Sequence, residues 1–198
     1  LGIFFTDTLS LTPAWTLTMS GRYNRTRVQI EDKSGENPDL NGDHTFNRFN
    51  PALGVNYAPS PALTAYASYN EGMRAPSPLE LTCADPEAPC KLPNNFLADP
   101  PLDPVIAKTI ELGARGKFNG DGRWSAALFR TDLLDDIQFI SSGGAINAGY
   151  FQNIGKTRRQ GMELGLAHKI GALDLSARYS FIRASFESVF TVHSPNNS

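Results

Sequence analysis

The sequence predicts an all-β protein whose antiparallel, up-and-down strands form a segment of a transmembrane β-barrel. Three observations support this prediction. Apolar and polar residues alternate along many segments, the connections between these segments are alternately short and long, and aromatic residues lie close to the short connections.

The alternation of polarity is clear between Trp15 and Tyr23. Leu17, Met19 and Gly21 share one side of an extended chain with both aromatic residues. The other side is polar, with Thr16, Thr18, Ser20 and Arg22. In the segment that begins at Arg123 either side could be the apolar one, because residues 126–129 are all apolar. Eight segments show the pattern, with boundaries good to two to four residues: 2–11, 15–32, 44–58, 62–75, 105–118, 123–139, 150–170 and 173–190.

The connections between these segments differ in length in a regular way. In an up-and-down sheet every second connection lies at the same end, so all the short turns share one rim and all the long loops share the other. Short periplasmic turns and long extracellular loops are typical of outer-membrane barrels. The predicted short turns are 12–14, 59–61, 119–122 and 171–172, and the long loops are 33–43, 76–104 and 141–149. Aromatic residues that suit a membrane-interface girdle lie near the short turns: Trp15, Tyr57, Phe118 and Trp124.

Composition excludes two other classes of protein. The formal net charge is −2, without a basic stripe, which argues against a nucleic-acid partner. No run of about 18 apolar residues is present, so a helical membrane protein is not expected. The chain begins without a visible targeting segment, and it ends in a polar run after a strand, so we expect it to continue on both sides.

Two other all-β arrangements compete with the barrel segment. A soluble β-sandwich also alternates, but its apolar side would be rich in Val, Ile and Leu, whereas here Ala, Gly, Tyr and Trp are as common. The segments also exceed the usual strand length of about five to six residues. Eight strands could close into a complete small barrel, but we expect the first and last strands to pair with residues outside this sequence.

The two cysteines, Cys83 and Cys90, lie close together in a Pro-rich polar segment. This arrangement suits a disulfide that closes a small loop in an oxidising compartment. The alternative is a pair of free thiols. We predict the disulfide.

Four stretches together resemble TonB-dependent outer-membrane receptors in their order and spacing. They are 48–55 (RFNPALGV), 66–76 (YASYNEGMRAP), 102–104 followed by 109–113 (LDP and TIELG), and 153–164 (NIGKTRRQGMEL). The resemblance implies a barrel of 22 strands, of which residues 1–198 form about eight within a single barrel domain. It also implies a plug domain with a TonB box, and further C-terminal strands, none of which is in this sequence. Pro51 is expected at a local break of the hydrogen-bond ladder or at a bulge.

The same resemblance implies transport and not catalysis. The expected function is TonB-energised uptake of a scarce nutrient across the bacterial outer membrane, most often a ferric siderophore. The alternative is a passive porin or a surface-exposed structural or adhesive β-domain. The expected partners are the TonB system, acting through the plug, the small-molecule ligand, and outer-membrane lipid with lipopolysaccharide. No cofactor is expected.

The candidate ligand-binding residues are Arg74, Arg158 and Arg159, because a forked guanidinium suits carboxylate-like or catecholate-like anions. The alternative is that these arginines hold the plug or pair with wall acids such as Glu111 or Glu163. Loop 76–104, closed by the predicted disulfide, is the other candidate for ligand capture.

No metal site is predicted from the sequence. The histidines are scattered and none has metal-ligand spacing: His44, His168 and His193. A cluster of aspartates could in principle suit calcium, although paired surface acids are usually solvated: Asp132, Asp135 and Asp136.

Overall fold

The computed structural model describes residues 1–35, 41–85, 102–142 and 148–192, together with the backbone of residues 90 and 91. Within these ranges no helix is both long enough and apolar enough to cross a membrane. The elements, in chain order, are β1 Gly2–Ser10, β2 Trp15–Ile30, β3 Gly42–Ser60, β4 Leu63–Arg74, α1 Pro78–Leu81, β5 Cys90–Lys91, β6 Val105–Phe118, β7 Gly122–Leu134, β8 Ile137–Ser141, β9 Ala148–Asn153, β10 Thr157–Ile170 and β11 Leu173–Phe186.

Eight of these strands form one antiparallel sheet in the order β1-β2-β3-β4-β6-β7-β10-β11. We call this sheet the wall. The four predicted short turns join consecutive strands of this sheet at one rim, so the up-and-down prediction is confirmed. Tight hairpin turns need left-handed backbone, and Asn119, Gly120 and Gly171 have φ values of 43°, 76° and 60°. Strands β1 and β11 lie at opposite edges of the described sheet, which is therefore open and not a closed eight-stranded barrel.

A row of paired residues crosses all eight strands on one side of the sheet. Its members are Leu9, Leu17, Val55, Ala67, Leu112, Leu128, Met162 and Phe181. We call this side the apolar face and the opposite side the polar face. The register settles the segment that begins at Arg123, because Leu128 lies on the apolar face and its neighbours Ala127 and Phe129 lie on the polar face.

The apolar face is uncovered. The side chains of Leu112 and Leu175 are 54% and 53% exposed, and no second sheet packs on them within the described part of the chain. A soluble β-sandwich would bury these residues between two sheets. The sandwich alternative is therefore wrong, and the exposed apolar band is what a lipid-facing wall requires.

The buried residues cluster elsewhere, at the end of the sheet where the long connections lie. Helix α1 and the small antiparallel sheet β5-β9-β8 form what we call the loop module. Its core packs against partly buried residues of the polar face, including Val28, Phe46 and Leu133. The fully buried members of the core are Leu81, Ala84, Leu102, Val105 and Ile137. The loop module thus covers one end of the polar face.

Two predicted continuous segments, 123–139 and 150–170, are each broken in the structure. The break in the first is at Asp135 (φ 53°), and the break in the second is at Gly155 (φ 81°). We call residues 135–136 and 154–156 the joint. Across it the Asp136 amide donates to the Gly155 carbonyl at 2.9 Å, and the Ile154 amide donates to the Asp136 carbonyl at 2.8 Å. Left-handed backbone interrupts an extended strand, so β8 and β9 leave the main sheet and enter the loop module.

Pro51 lies within β3 without ending it, and the expected local ladder break occurs only on the side that faces β4. It pairs with Gly21 in an unbroken ladder to β2. On the other side the ladder to β4 begins at Ala52, next to the residue that has no amide hydrogen to donate. The irregularity of register in β3 lies between Tyr57 and Ser60 instead.

Candidate functional site

The polar face of the sheet carries hydrogen-bonded and charged side chains. The Tyr66 hydroxyl donates to Glu111 Oε1 at 2.7 Å, and the hydroxyls of Thr109 and Thr131 lie 2.9 Å apart. Nearer the short turns, four basic residues line a concave part of this face: Arg115, Lys117, Arg123 and Arg178. None of the four forms a salt bridge within the described residues. This wall therefore suits contact with water or with anionic groups.

The candidates Arg158 and Arg159 lie on opposite faces, because successive residues of a strand alternate. Arg159 pairs in register with Thr131 and Ala184 on the polar face. Its side chain is exposed and forms no salt bridge with the described residues. Arg159 is therefore available to a ligand or to another domain on that side.

Arg158, in contrast, belongs to a network centred on Asp132. Its Nε atom donates to Asp132 Oδ1 at 2.7 Å, and its Nη1 atom lies 3.1 Å from Glu187 Oε2. Asp132 also receives Lys156 Nζ at 2.9 Å and Arg130 Nη2 at 3.1 Å. This network connects β7 and β10 to the segment after β11, directly next to the joint.

Arg74 ends β4 on the polar face and is held by Glu80 of α1. Its Nη1 atom lies 2.8 Å and 3.1 Å from the two carboxylate oxygens. The Glu80 carboxylate also accepts the Ser77 amide at 2.7 Å, while the Ser77 hydroxyl accepts the Glu80 amide at 3.3 Å. This reciprocal capping box starts the helical turn directly after the strand. Burial would raise the pKa of Glu80, but the bonds from Arg74 and Ser77 outweigh it and hold that pKa below its ordinary value.

The base of the loop module is fixed by hydrogen bonds at the joint. Asn153 Nδ2 donates to the carbonyls of Asp135 at 2.7 Å and Asp103 at 3.0 Å, and its Oδ1 accepts the Asp103 amide at 2.9 Å. The buried carboxylate of Asp136 accepts the Thr157 hydroxyl at 2.7 Å. The chain entering β6, the end of β9 and the start of β10 are thereby joined at one point.

Cys83 follows α1 and is fully buried and disulfide-bonded. The backbone amide of Phe151 in β9 donates to the Cys83 carbonyl, which joins this segment to the small sheet. The side chain of Cys90 lies outside the described residues. The pairing of Cys83 with Cys90 therefore rests on the sequence, which contains no third cysteine.

No three His, Cys, Asp or Glu side chains converge on a possible metal position within the described ranges. Asp132 is occupied by basic residues and Asp136 by Thr157, so the aspartate cluster that could have suited calcium is dispersed. His168 makes a tilted ring contact with Phe118 near the short turns, and His44 stacks on Phe46. His193 lies outside the described residues.

Sequence reasoning missed the Asp132 network, the Asn153 contacts and the four basic residues near the short turns. The alternation itself predicts that Arg115 and Lys117 lie on the same polar side as Glu111, but it does not indicate that they form one basic group with Arg123 and Arg178. The contacts of Asp132 and Asn153 join residues far apart in the chain and have no local sequence signal.

The wall and its loop module match a family model for the β-barrel of TonB-dependent receptor-like proteins, over residues 1–197. This chain belongs to the TonB-dependent receptor family. Members of the family are outer-membrane β-barrel proteins of Gram-negative bacteria. The family assignment makes the apolar face of the sheet the lipid-facing surface and the polar face the lining of the barrel interior.

Individual relatives agree with the family assignment. The ferrioxamine receptor of Yersinia enterocolitica is 26% identical over 187 residues, which cover 94% of this chain and 23% of that protein. The copper transporter OprC superposes with a TM-score of 0.74 at 17% identity, covering 94% of this chain and 29% of that one. The alcaligin receptor FauA of Bordetella pertussis superposes with a TM-score of 0.66 at 20% identity, covering 98% of this chain and 31% of that one. The chain thus spans about a quarter of the length of the ferrioxamine receptor.

Proposed function

We propose that the chain is part of the barrel wall of a receptor that imports a ferric siderophore with energy supplied through TonB. The observation that carries the proposal is the family match over nearly the whole chain, together with relatives whose names specify ferrioxamine and alcaligin. The complete receptor would contain a 22-stranded barrel and a plug that contacts TonB. These parts belong to the proposal.

The arrangement of the polar face supports this function. A passive pore needs an open interior, whereas here a module with its own buried core packs over one end of the polar face. In an outer-membrane barrel the long connections are extracellular. The module therefore lies where a ligand would enter.

Among the three candidate arginines, Arg159 is the one we propose for ligand contact. It is exposed on the polar face and has no salt bridge within the described residues. Arg74 would need to release Glu80 before it could bind an anion. Arg158 lies on the apolar face, away from the barrel interior, and is bound by Asp132 and Glu187. We propose that these two hold the loop module and the wall in place.

The test is growth under iron limitation. A strain that lacks its other siderophore receptors would carry the full-length gene and receive one iron source at a time: a hydroxamate siderophore, a catecholate siderophore or haem. We expect growth on one siderophore class, and loss of that growth when TonB is deleted. Uptake that persists without TonB would identify a passive pore and refute the proposal. Copper accumulation in place of iron would refute the siderophore and leave energised transport intact.

We also propose that a Cys83–Cys90 disulfide orders the loop module for ligand capture. The double variant Cys83→Ser/Cys90→Ser is compared with the wild-type receptor, which is measured in oxidising and in reducing buffer. We expect the double variant to bind the identified siderophore roughly tenfold more weakly, because the ligand must then supply the ordering that the crosslink provides. Equal affinity of the double variant and the oxidised wild type would refute a role in capture.

A further inference from the structure

A groove on the apolar face crosses β7, β10 and β11 near the end that carries the long connections. One side of the groove is the apolar row Leu128, Met162 and Phe181. The next row toward the long connections is Arg130, Gln160 and Arg183, paired in register across the same strands. An apolar surface therefore meets two guanidinium groups directly at its upper border.

The composition of this second row changes along the sheet. On β2, β3 and β6 the row contains Met19, Leu53 and Ile110, and it becomes basic only at β7 and β11. Strands of a barrel are tilted, so a row perpendicular to the strands rises relative to the membrane. The following row toward the long connections contains Lys108, Asp132 and Arg158, so the two arginines lie where the apolar face gives way to charged residues.

The basic residues at the groove are incompletely neutralised. Arg183 is exposed and forms no salt bridge within the described residues. Arg130 contacts Asp132 at 3.1 and 3.3 Å, but that carboxylate is bound more closely by Arg158 at 2.7 Å and by Lys156 at 2.9 Å. With Asp132 already satisfied by two other cations, Arg130 can turn toward an external anion at small cost.

We infer that Arg130 and Arg183 bind the phosphate group of a membrane lipid in the leaflet on the side of the long connections. The acyl chains of this lipid pack along Leu128, Met162 and Phe181. Arg130 and Arg183 are separated by two strand spacings, about 10 Å, so both guanidinium groups can converge on one phosphate above Gln160. Guanidinium groups form paired hydrogen bonds with phosphate, and apolar contact with the acyl chains selects a lipid over a free anion. This site depends on the outer-membrane location and not on which ligand the receptor imports.

The experiment uses the full-length receptor, delipidated in mild detergent and titrated with diphosphorylated lipid A. Bound lipid is counted by native mass spectrometry. We expect the Arg130→Gln/Arg183→Gln double variant to bind roughly thirtyfold more weakly, since each surface arginine contributes about fivefold. The Arg130→Lys/Arg183→Lys variant keeps the charge and should retain most of the binding.

The control variant is Arg123→Gln/Arg178→Gln, which removes the same charge from the polar face. It should bind lipid A like the wild type, and loss of binding in it would assign the effect to net charge and overturn the site. Equal binding of dephosphorylated lipid A would show that the phosphate is not recognised. Displacement of the lipid by equimolar inorganic phosphate would identify a free-anion site. Either of these two results would also overturn the inference, and none of them depends on siderophore uptake.

Discussion

The eight-stranded wall and the loop module are stabilised in opposite ways. The wall leaves its apolar side chains exposed and is held by a continuous ladder of backbone pairs from β1 to β11. The loop module has few paired strand residues, but it contains the cluster of buried apolar side chains, including Leu81 at 1% exposure. The wall therefore needs lipid to cover its apolar surface, while the loop module uses an internal core like that of a soluble protein.

This difference predicts where a given substitution acts. Removing apolar volume should matter in the loop module, where a cavity would form. Adding charge should matter on the apolar face of the wall, where hydrocarbon would meet the charge. Each prediction below uses a variant pair that separates these two effects, beginning with the largest expected change.

The largest effect is expected for Leu81→Ala in the core of the loop module. Loss of a fully buried leucine should reduce the local stability of the module by about 2–5 kcal/mol, through lost burial and a residual cavity. Hydrogen exchange of residues 77–85 in the full-length receptor measures this change. The control is Leu79→Ala on the same helical turn, where the side chain is 44% exposed and the change should stay within about 0.5 kcal/mol. Equal effects at both positions would mean that the module lacks a core of this kind.

A somewhat smaller effect is expected for Leu128→Arg on the apolar face. Leu128 is 60% exposed on the lipid side, where an arginine costs up to about 2–4 kcal/mol at the bilayer midplane and less toward the headgroups. Unfolding of the receptor by denaturant in lipid vesicles measures the cost. The control is Ala127→Arg, one residue away on the polar face, between Gly113 and Glu163. A larger loss of stability in the control would reverse our assignment of the two faces.

The smallest effect is expected from acid at the contact between Arg74 and Glu80. The pKa of Glu80 lies below its ordinary value of 4.5 in the folded module. The contact therefore stabilises the module above pH 4.5, and the stabilisation is lost as the pH falls through the lower folded value. Because Arg74 is half-exposed, we expect less than about 1 kcal/mol, seen as faster exchange of residues 77–83 in acid. Glu80→Gln should abolish this pH dependence, and an unchanged acid response in that variant would assign it to another group.

The wall could be predicted from the sequence because alternation is a local property. A strand such as β6 places Ile110 and Leu112 on one side and Glu111 on the other, whatever its neighbours are. The short turns were equally local, since residues 119–122 and 171–172 contain the glycines that left-handed turns need. The open eight-stranded order then followed from the alternation of short and long connections.

The loop module and the joint could not be predicted in the same way. The alternation is interrupted at Asp135-Asp136 and again around Gly155. Such a short interruption also fits a bulge within a continuous strand, so it does not predict that β8 leaves the main sheet. The core around Leu81 is assembled from segments far apart in the chain. The candidate arginines show an intermediate case. The alternation already places Arg158 and Arg159 on opposite faces, but only the three-dimensional contacts reveal that Arg158 is bound by Asp132 and Glu187.

The joint keeps the strands on its two sides in the same register. Leu133 of β7 lies opposite Thr157 of β10 on the wall side, and Ile137 of β8 lies opposite Asn153 of β9 on the side of the loop module. Three residues lie between these positions on each arm, so the connection between β8 and β9 can be shortened, lengthened or exchanged without shifting any strand partner in the main sheet. The hairpin is thus a modular extension of the barrel. A change of length between β8 and β9 therefore leaves the alignment of strands in the membrane-embedded part unchanged.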